Sequence, residues 1–363
     1  MPEIFMYRVA AADMTHLTKF LKPGAKLALL SIPLLLCCPK GLRAEEITGA
    51  GSSFAAPLYQ AWSAASSEST GVRVNYQTIG SGAGQNMVLA GTVDFGASDA
   101  PMAPEKLEAG HLMQFPTGIG GIVVIVNVPG VPDGGLRLTG PVLAGLYDGS
   151  ISTWNDPRIV ALNPDLKLPD LSVAPLHRAD GSGTTFVFTD YLGRVSPEWS
   201  KAVGRGTSVD WPAGSGTRGN DGIASYVANT EGSIGYVEYA YAERNHLPMV
   251  QLQNKAGDFV TASADSFAKA AEAAVWDEKS LTAALSDTKG EGAWPIVTTT
   301  YVLVPQSSSG TEHGQAVRVF FRWGLTNGES ASRQLDYVPI PARVKTMALE
   351  RLDALVRQTP PND

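Results

Sequence analysis

Residues 119–128, IGGIVVIVNV, and residues 297–304, VTTTYVLV, are two long runs of β-branched and apolar side chains in a chain of 363 residues. Runs of this kind read as β-strands, and the two are candidates for strands that cross from one half of the molecule to the other. About 165 residues lie between them, with strand and helix signals of their own. The flanking pieces, 45–118 and 305–363, must then combine into one unit. The expectation is an α/β protein of two lobes, the second inserted into the first, joined by two extended crossings that serve as a hinge. Lobe 1 is drawn as 45–122 with 300–363, and lobe 2 as 123–299.

Shorter signals agree. Val72-Arg73-Val74-Asn75-Tyr76 alternates as a strand, Val93 to Ala97 reads as a short buried one, and helical patterns are interleaved with them. Such alternation implies parallel strands with helices on the sheet faces. With 44% hydrophobic and 17% charged residues, the chain carries enough apolar material for a large core, which excludes a disordered or fibrous protein.

The first 44 residues differ from the rest. Lys19, Lys22 and Lys26 precede an apolar run from Leu27 to Pro39, and Gly41-Leu42-Arg43-Ala44 follows. This is the layout of a cleaved secretory signal, and the run of about 13 residues is short of the roughly 20 a spanning helix needs. Met14 would give the signal a more ordinary start. Cys37 and Cys38 offer a rival reading as lipid attachment sites, but Leu36 and Cys37 are not the small residues expected before a lipidated cysteine. Cleavage after Ala44 leaves 319 residues, no cysteine and an exported, periplasmic protein stabilised by packing. The five histidines are scattered, so a disulfide scaffold or zinc cluster is not expected, and no cofactor is called for.

The net charge is −7 for the whole chain. The signal holds six basic and two acidic residues, so the mature chain carries about −11. That excludes a nucleic-acid partner, which needs basic patches, and leaves any anion to be held by local dipoles.

Four segments carry such dipoles. Thr48-Gly49-Ala50-Gly51-Ser52-Ser53-Phe54 runs into a helical pattern with Pro57 in its first turn, placing a helix start near Ser53. Ile79-Gly80-Ser81-Gly82-Ala83-Gly84 repeats the order of strand, glycine loop and helix, without the Lys-Ser/Thr of a nucleotide loop. Gly96-Ala97-Ser98-Asp99 ends a strand, where open α/β sheets place ligand residues. His177-Arg178-Ala179-Asp180-Gly181-Ser182-Gly183-Thr184-Thr185-Phe186 packs a guanidinium, a carboxylate and three hydroxyls into ten residues ahead of a helix. Free amides at a helix start bind anions, and Asp180 is placed to hold the fork of Arg178. Each segment alone also reads as a capped turn.

Taken in order, TGAGSSFAAPLY, VDFGASDAP, HRADGSGTTFVFT, GNDGIASYV (219–227) and GSIGYVEYAYA (232–242) resemble the periplasmic phosphate-binding protein of phosphate ABC transporters, over nearly the whole mature chain. The resemblance implies a venus-flytrap fold, one inorganic phosphate in the cleft, a monomer, and delivery to membrane permease subunits. It assigns Ser53 (where the family commonly has Thr), the Phe54 amide, Ser81, the acceptor Asp99, the charged donor Arg178, its partner Asp180, and Ser182, Gly183 and Thr184 as the ligand set. His177 reads as flanking structure, and Asn220, Asp221 and Gly222 as a helix cap near the cleft.

The residues make sense of that assignment on their own terms. Neutral hydroxyls and amides at helix ends can satisfy four phosphate oxygens without a positive field. Asp99 repels an anion unless the anion still carries a proton, as phosphate does near neutral pH and sulfate does not. Arsenate shares phosphate's protonation and stays open as a cargo. A serine-dependent phosphatase, with Ser182 or Ser81 as nucleophile and His177 as base, is the rival class. It lacks a Gly-x-Ser-x-Gly elbow, lacks two-metal spacing, and needs Asp180 free of Arg178.

Overall fold

The computed structural model describes residues 45–354. The expected signal, with Cys37 and Cys38, lies outside the described residues. One eight-stranded sheet organises the chain. Its strands are β1 (Glu45–Gly51), β2 (Val72–Thr78), β3 (Phe95–Ser98), β4 (Leu112–Asn127), β5 (Ala174–Arg178), β6 (Ser215–Thr217), β7 (Ser233–Glu238) and β8 (Val297–Pro305), in the spatial order β2-β1-β3-β8-β4-β7-β5-β6.

The two runs singled out in the sequence are the two central strands. β4 pairs antiparallel with β8 from Leu112 to Gly121, then with β7 from Ile122 to Asn127. It therefore belongs to both halves of the sheet and changes partner between Gly121 and Ile122. At that point the Ile122 amide donates to the Ile296 carbonyl at 2.8 Å, and the Trp294 indole donates to the Ile122 carbonyl at 2.9 Å, so the two chain passages cross side by side. Residues 122–126 of β4 are fully buried, which explains their continuous Ile/Val sequence in place of polar alternation.

Each half has its own aromatic packing. In the first, Tyr59 on α1 (Ala56–Thr70) meets Phe95 and Phe321 edge-on at 6.0 and 5.4 Å. In the second, Phe188 stacks on Tyr236 at 4.1 Å. The chain is thus a two-lobed α/β protein, the second lobe inserted into the first.

Three helices start at the loops that matter. α1 has Pro57 in its first turn and ends at Gly71, whose left-handed conformation (φ 68°) closes it. It begins at Ala56 rather than near Ser53, because the Ser52 hydroxyl receives the Phe54 and Ala55 amides at 3.0 and 3.3 Å and holds residues 53–55 in a turn. α2 (Ser81–Leu89) follows Gly80, whose φ of 90° and lack of a side chain are both needed: a Cβ there would collide with the Asp180 carboxylate. α3 (Gly183–Val195) is capped by Ser182, whose hydroxyl accepts the Thr185 amide at 3.1 Å.

Candidate functional site

All nine residues singled out by sequence sit where the two halves of the sheet face each other, and eight side chains or backbones among them are buried. Asp99 follows β3 directly. Ser81 opens α2, and its hydroxyl accepts the Asp99 amide at 3.2 Å. Opposite stand Ser182, Gly183 and Thr184 at the start of α3. They come so close that a Cβ built on Gly183 would lie 2.7 Å from Asp99 and 2.5 Å from Ser81 Oγ. The Gly82 amide donates to the Gly181 carbonyl at 2.8 Å, a direct backbone link between the α2 and α3 loops. The two halves are closed on one another here.

Arg178, at the end of β5, is buried and forks onto Asp180, with Nε to Oδ1 at 2.7 Å and Nη2 to Oδ2 at 2.5 Å. The third nitrogen, Nη1, lies 3.4 Å from Thr184 Oγ1. The Gly219 amide also donates to Asp180, at 3.2 Å. Burial pushes the Asp180 carboxyl up, but the Arg178 hydrogen bonds and charge, with the Gly219 amide, outweigh it and hold it below the ordinary carboxylate range. Arg178 is thereby oriented while its charge is largely offset.

Asp99 behaves oppositely. Burial raises its carboxyl to about 6, against the lowering effect of Ser52, Thr300, Arg178 and Ser81. Near neutral pH it is an ionised acceptor in a buried ring of hydroxyls. A buried acceptor facing donors suits a ligand that brings both lone pairs and one proton.

Some functional contacts were not anticipated. Asn220, at the start of α4 (Gly219–Asn229), does more than cap: its Nδ2 donates to Ser53 Oγ at 2.9 Å, its backbone amide lies 3.3 Å from the same oxygen, and its Oδ1 accepts the Glu238 amide at 3.1 Å. The Tyr241 hydroxyl donates to the Ser53 carbonyl at 2.7 Å, adding a second tie from the β7 side to the Ser53 turn. Phe54 keeps its amide on Ser52, and its carbonyl accepts the Tyr337 hydroxyl at 2.5 Å. Ser52 itself donates to Asp99, at 2.7 and 2.6 Å from the two carboxylate oxygens. Only a Ser two places before the Phe hinted at this.

The nucleophile arrangement considered in the sequence does not form. His177 lies flat on Trp211 at 4.8 Å, burial pushes its imidazole below the ordinary value, and Asp180 is held by Arg178. Ser182 Oγ is engaged as the cap of α3.

A cavity of about 260 Å³ is lined by Asp99 together with Phe186, Arg205 and Thr298. A larger one, about 670 Å³, lies among Asp258, Asp265, Lys269 and Glu291, where the lysine is paired with Asp265 at 2.9 Å; its acidic lining does not suit an anion.

A sheet shared by two lobes, closed around a buried ring of hydroxyls with one held arginine, defines a two-lobed α/β binding protein of the periplasmic-binding type. Residues 39–327 match the model of the PBP superfamily domain. The chain is 50% identical over 303 residues to the phosphate-binding protein PstS of Haemophilus influenzae, covering 83% of this chain and 91% of that one. It is 48% identical over 300 residues to PstS of Xylella fastidiosa strain Temecula1, covering 82% of each. Among solved structures, a putative phosphate ABC transporter substrate-binding protein from Clostridium perfringens, with bound phosphate, superimposes with a TM-score of 0.59 at 19% identity, over 82% of this chain and all of that one, which supports the fold. The chain belongs to the PstS family of phosphate-binding proteins.

Proposed function

We propose that this protein binds inorganic phosphate in the periplasm, after export through residues 1–44, and delivers it as a monomer to the permease subunits of a phosphate ABC transporter. The observation that carries the reading is Asp99: a buried carboxylate among hydroxyl donors, facing the start of α3 and the Arg178–Asp180 pair. The ligand set is Ser53, Ser81, Asp99, Arg178, Ser182, the Gly183 amide and Thr184, with Asp180 orienting Arg178; the Phe54 amide, which the resemblance adds, is engaged by Ser52 Oγ in this structure. The family names of relatives at about half identity support phosphate as the cargo.

The lobes are taken as 45–122 with 300–363, and 123–299. The change of partner along β4 at Gly121/Ile122 supports a hinge near the first of these limits. Phosphate would bridge Ser53, Ser81 and Asp99 on one lobe to Arg178, Ser182 and Thr184 on the other, favouring the closed form. The role is binding rather than catalysis, which the stacking of His177 on Trp211 supports. Titration calorimetry with phosphate on the mature chain tests the reading. A saturable one-to-one isotherm is expected, and no heat at millimolar phosphate would overturn it.

A further inference from the structure

Ser52 is outside the ligand set, yet its hydroxyl lies within 2.7 Å of both Asp99 carboxylate oxygens. Four hydrogen bonds fix where that hydroxyl lies and what it does. The Ser52 amide donates to the Ala97 carbonyl at 2.9 Å, and the Ser52 carbonyl accepts the Tyr76 hydroxyl at 2.7 Å, so the backbone is clamped from both sides. Ser52 Oγ then accepts the Phe54 and Ala55 amides at 3.0 and 3.3 Å. A hydroxyl oxygen has two lone pairs and one proton. With both lone pairs engaged by amides, the proton is directed at Asp99, whose two oxygens lie 2.7 and 2.6 Å away. Ser52 can only donate to that carboxylate.

We infer that Ser52 is a positioning and specificity-determining residue: by donating to Asp99 it keeps that carboxylate an acceptor, and so sets how far the pH must fall before a fully deprotonated oxyanion such as sulfate is admitted. The inference rests on the phosphate reading above. An ionised carboxylate offers about four acceptor positions, so Ser52 leaves room for the proton of a bound phosphate. A donor fixed on the ionised form favours that form. The charged and titratable groups around Asp99 divide in effect. Arg178 favours its ionisation, while Glu238, Tyr59, Tyr76 and Tyr337 are close enough that negative charge on them would oppose it. Burial raises all three tyrosines and they stay neutral, so the local balance rests on Arg178, Glu238 and the hydroxyl donors.

The experiment is calorimetric titration of wild-type and Ser52→Ala mature protein with phosphate and with sulfate, from pH 5 to pH 8.5. For the wild type, sulfate binding should strengthen as pH falls through about 6, where Asp99 takes a proton and becomes a donor. In Ser52→Ala that onset should move up by about one pH unit, so that sulfate binds about fivefold more tightly at pH 7, and nearly tenfold at pH 8, than it does to the wild type. Phosphate affinity at pH 8 should change by less than about threefold. Ser52→Cys, which keeps the shape but donates weakly, should shift the onset in the same direction and serves if the alanine variant does not fold. A lowered melting temperature with an unmoved sulfate profile would mean that Ser52 only caps the turn, overturning the inference and leaving the phosphate reading intact. Wild-type protein without a phosphate isotherm would overturn both.

Discussion

Gly183 faces Asp99 across the closed cleft with no room for a methyl group: a Cβ on Gly183 would lie 2.7 Å from both Cβ and Oδ2 of Asp99. The α3 loop and the end of β3 are far apart in sequence and meet where the two halves of the sheet face each other. Closeness of this kind makes position 183 a direct sensor of the closed state.

Gly183→Ala should therefore weaken phosphate binding by about 10- to 100-fold, as overpacking of 1–3 kcal/mol falls on the closed form alone. The melting temperature without ligand should change little if the open form tolerates the methyl. Small-angle scattering should show a larger radius of gyration for the variant than for the wild type at saturating phosphate. Wild-type affinity in the variant would mean that the contact relaxes without opening the lobes.

A second prediction comes from Glu238, at the end of β7 where β4 changes partner. Burial raises its carboxyl to about 8, and its Oε2 has no hydrogen-bond partner among the described residues. Its folded-state value lies above the unfolded one, so folding takes up a proton between about pH 4.5 and pH 8, and stability falls as pH rises through that window. Asp99 shifts the same way but only up to about 6, so the interval from pH 7 to pH 8 isolates Glu238 from it. Urea unfolding should lose up to about 1.4 kcal/mol per pH unit there in the wild type. Glu238→Gln should flatten the slope and be the more stable protein at pH 8. Equal slopes would place the proton elsewhere.

Arg178 and Asp180 should behave as a unit. Arg178→Ala leaves a largely buried carboxylate beside the ligand site and should destabilise the fold by about 3 kcal/mol as well as weaken phosphate binding. Adding Asp180→Asn should recover part of both losses, because the neutral donors remain. Unfolding and calorimetry on the four proteins of the cycle measure the coupling, and a double variant worse than the sum of the single ones would contradict the pairing.

The sequence exposed the fold through the two long runs, because strands buried on both faces leave a continuous Ile/Val record at 122–126 and a β-branched one, Val and Thr, at 297–304. The glycine loops and the Arg178-x-Asp180 spacing were legible for a similar reason, since local geometry alone brings those groups together. What could not be read was contact between residues far apart in sequence. Asn220 looked like a cap because its partner, Ser53, is 167 positions away. Ser52 looked like a turn residue because Asp99 lies 47 positions on, and the same hydroxyl that meets Asp99 displaced the start of α1 from Ser53 to Ala56. Local propensity sees neither partner.

The central claim is that Asp99 reads the proton on the bound anion, and competitive calorimetry of phosphate against sulfate at pH 8, well above the Asp99 value of about 6, tests it most directly. The account predicts that the wild type prefers phosphate by about three to four orders of magnitude, since sulfate brings lone pairs and no proton to the ionised Asp99 carboxylate. Asp99→Asn, whose amide can donate or accept, should shrink that ratio at least tenfold while still binding phosphate. Comparable affinities for the two anions in the wild type, or a ratio unmoved by Asp99→Asn, would contradict the account.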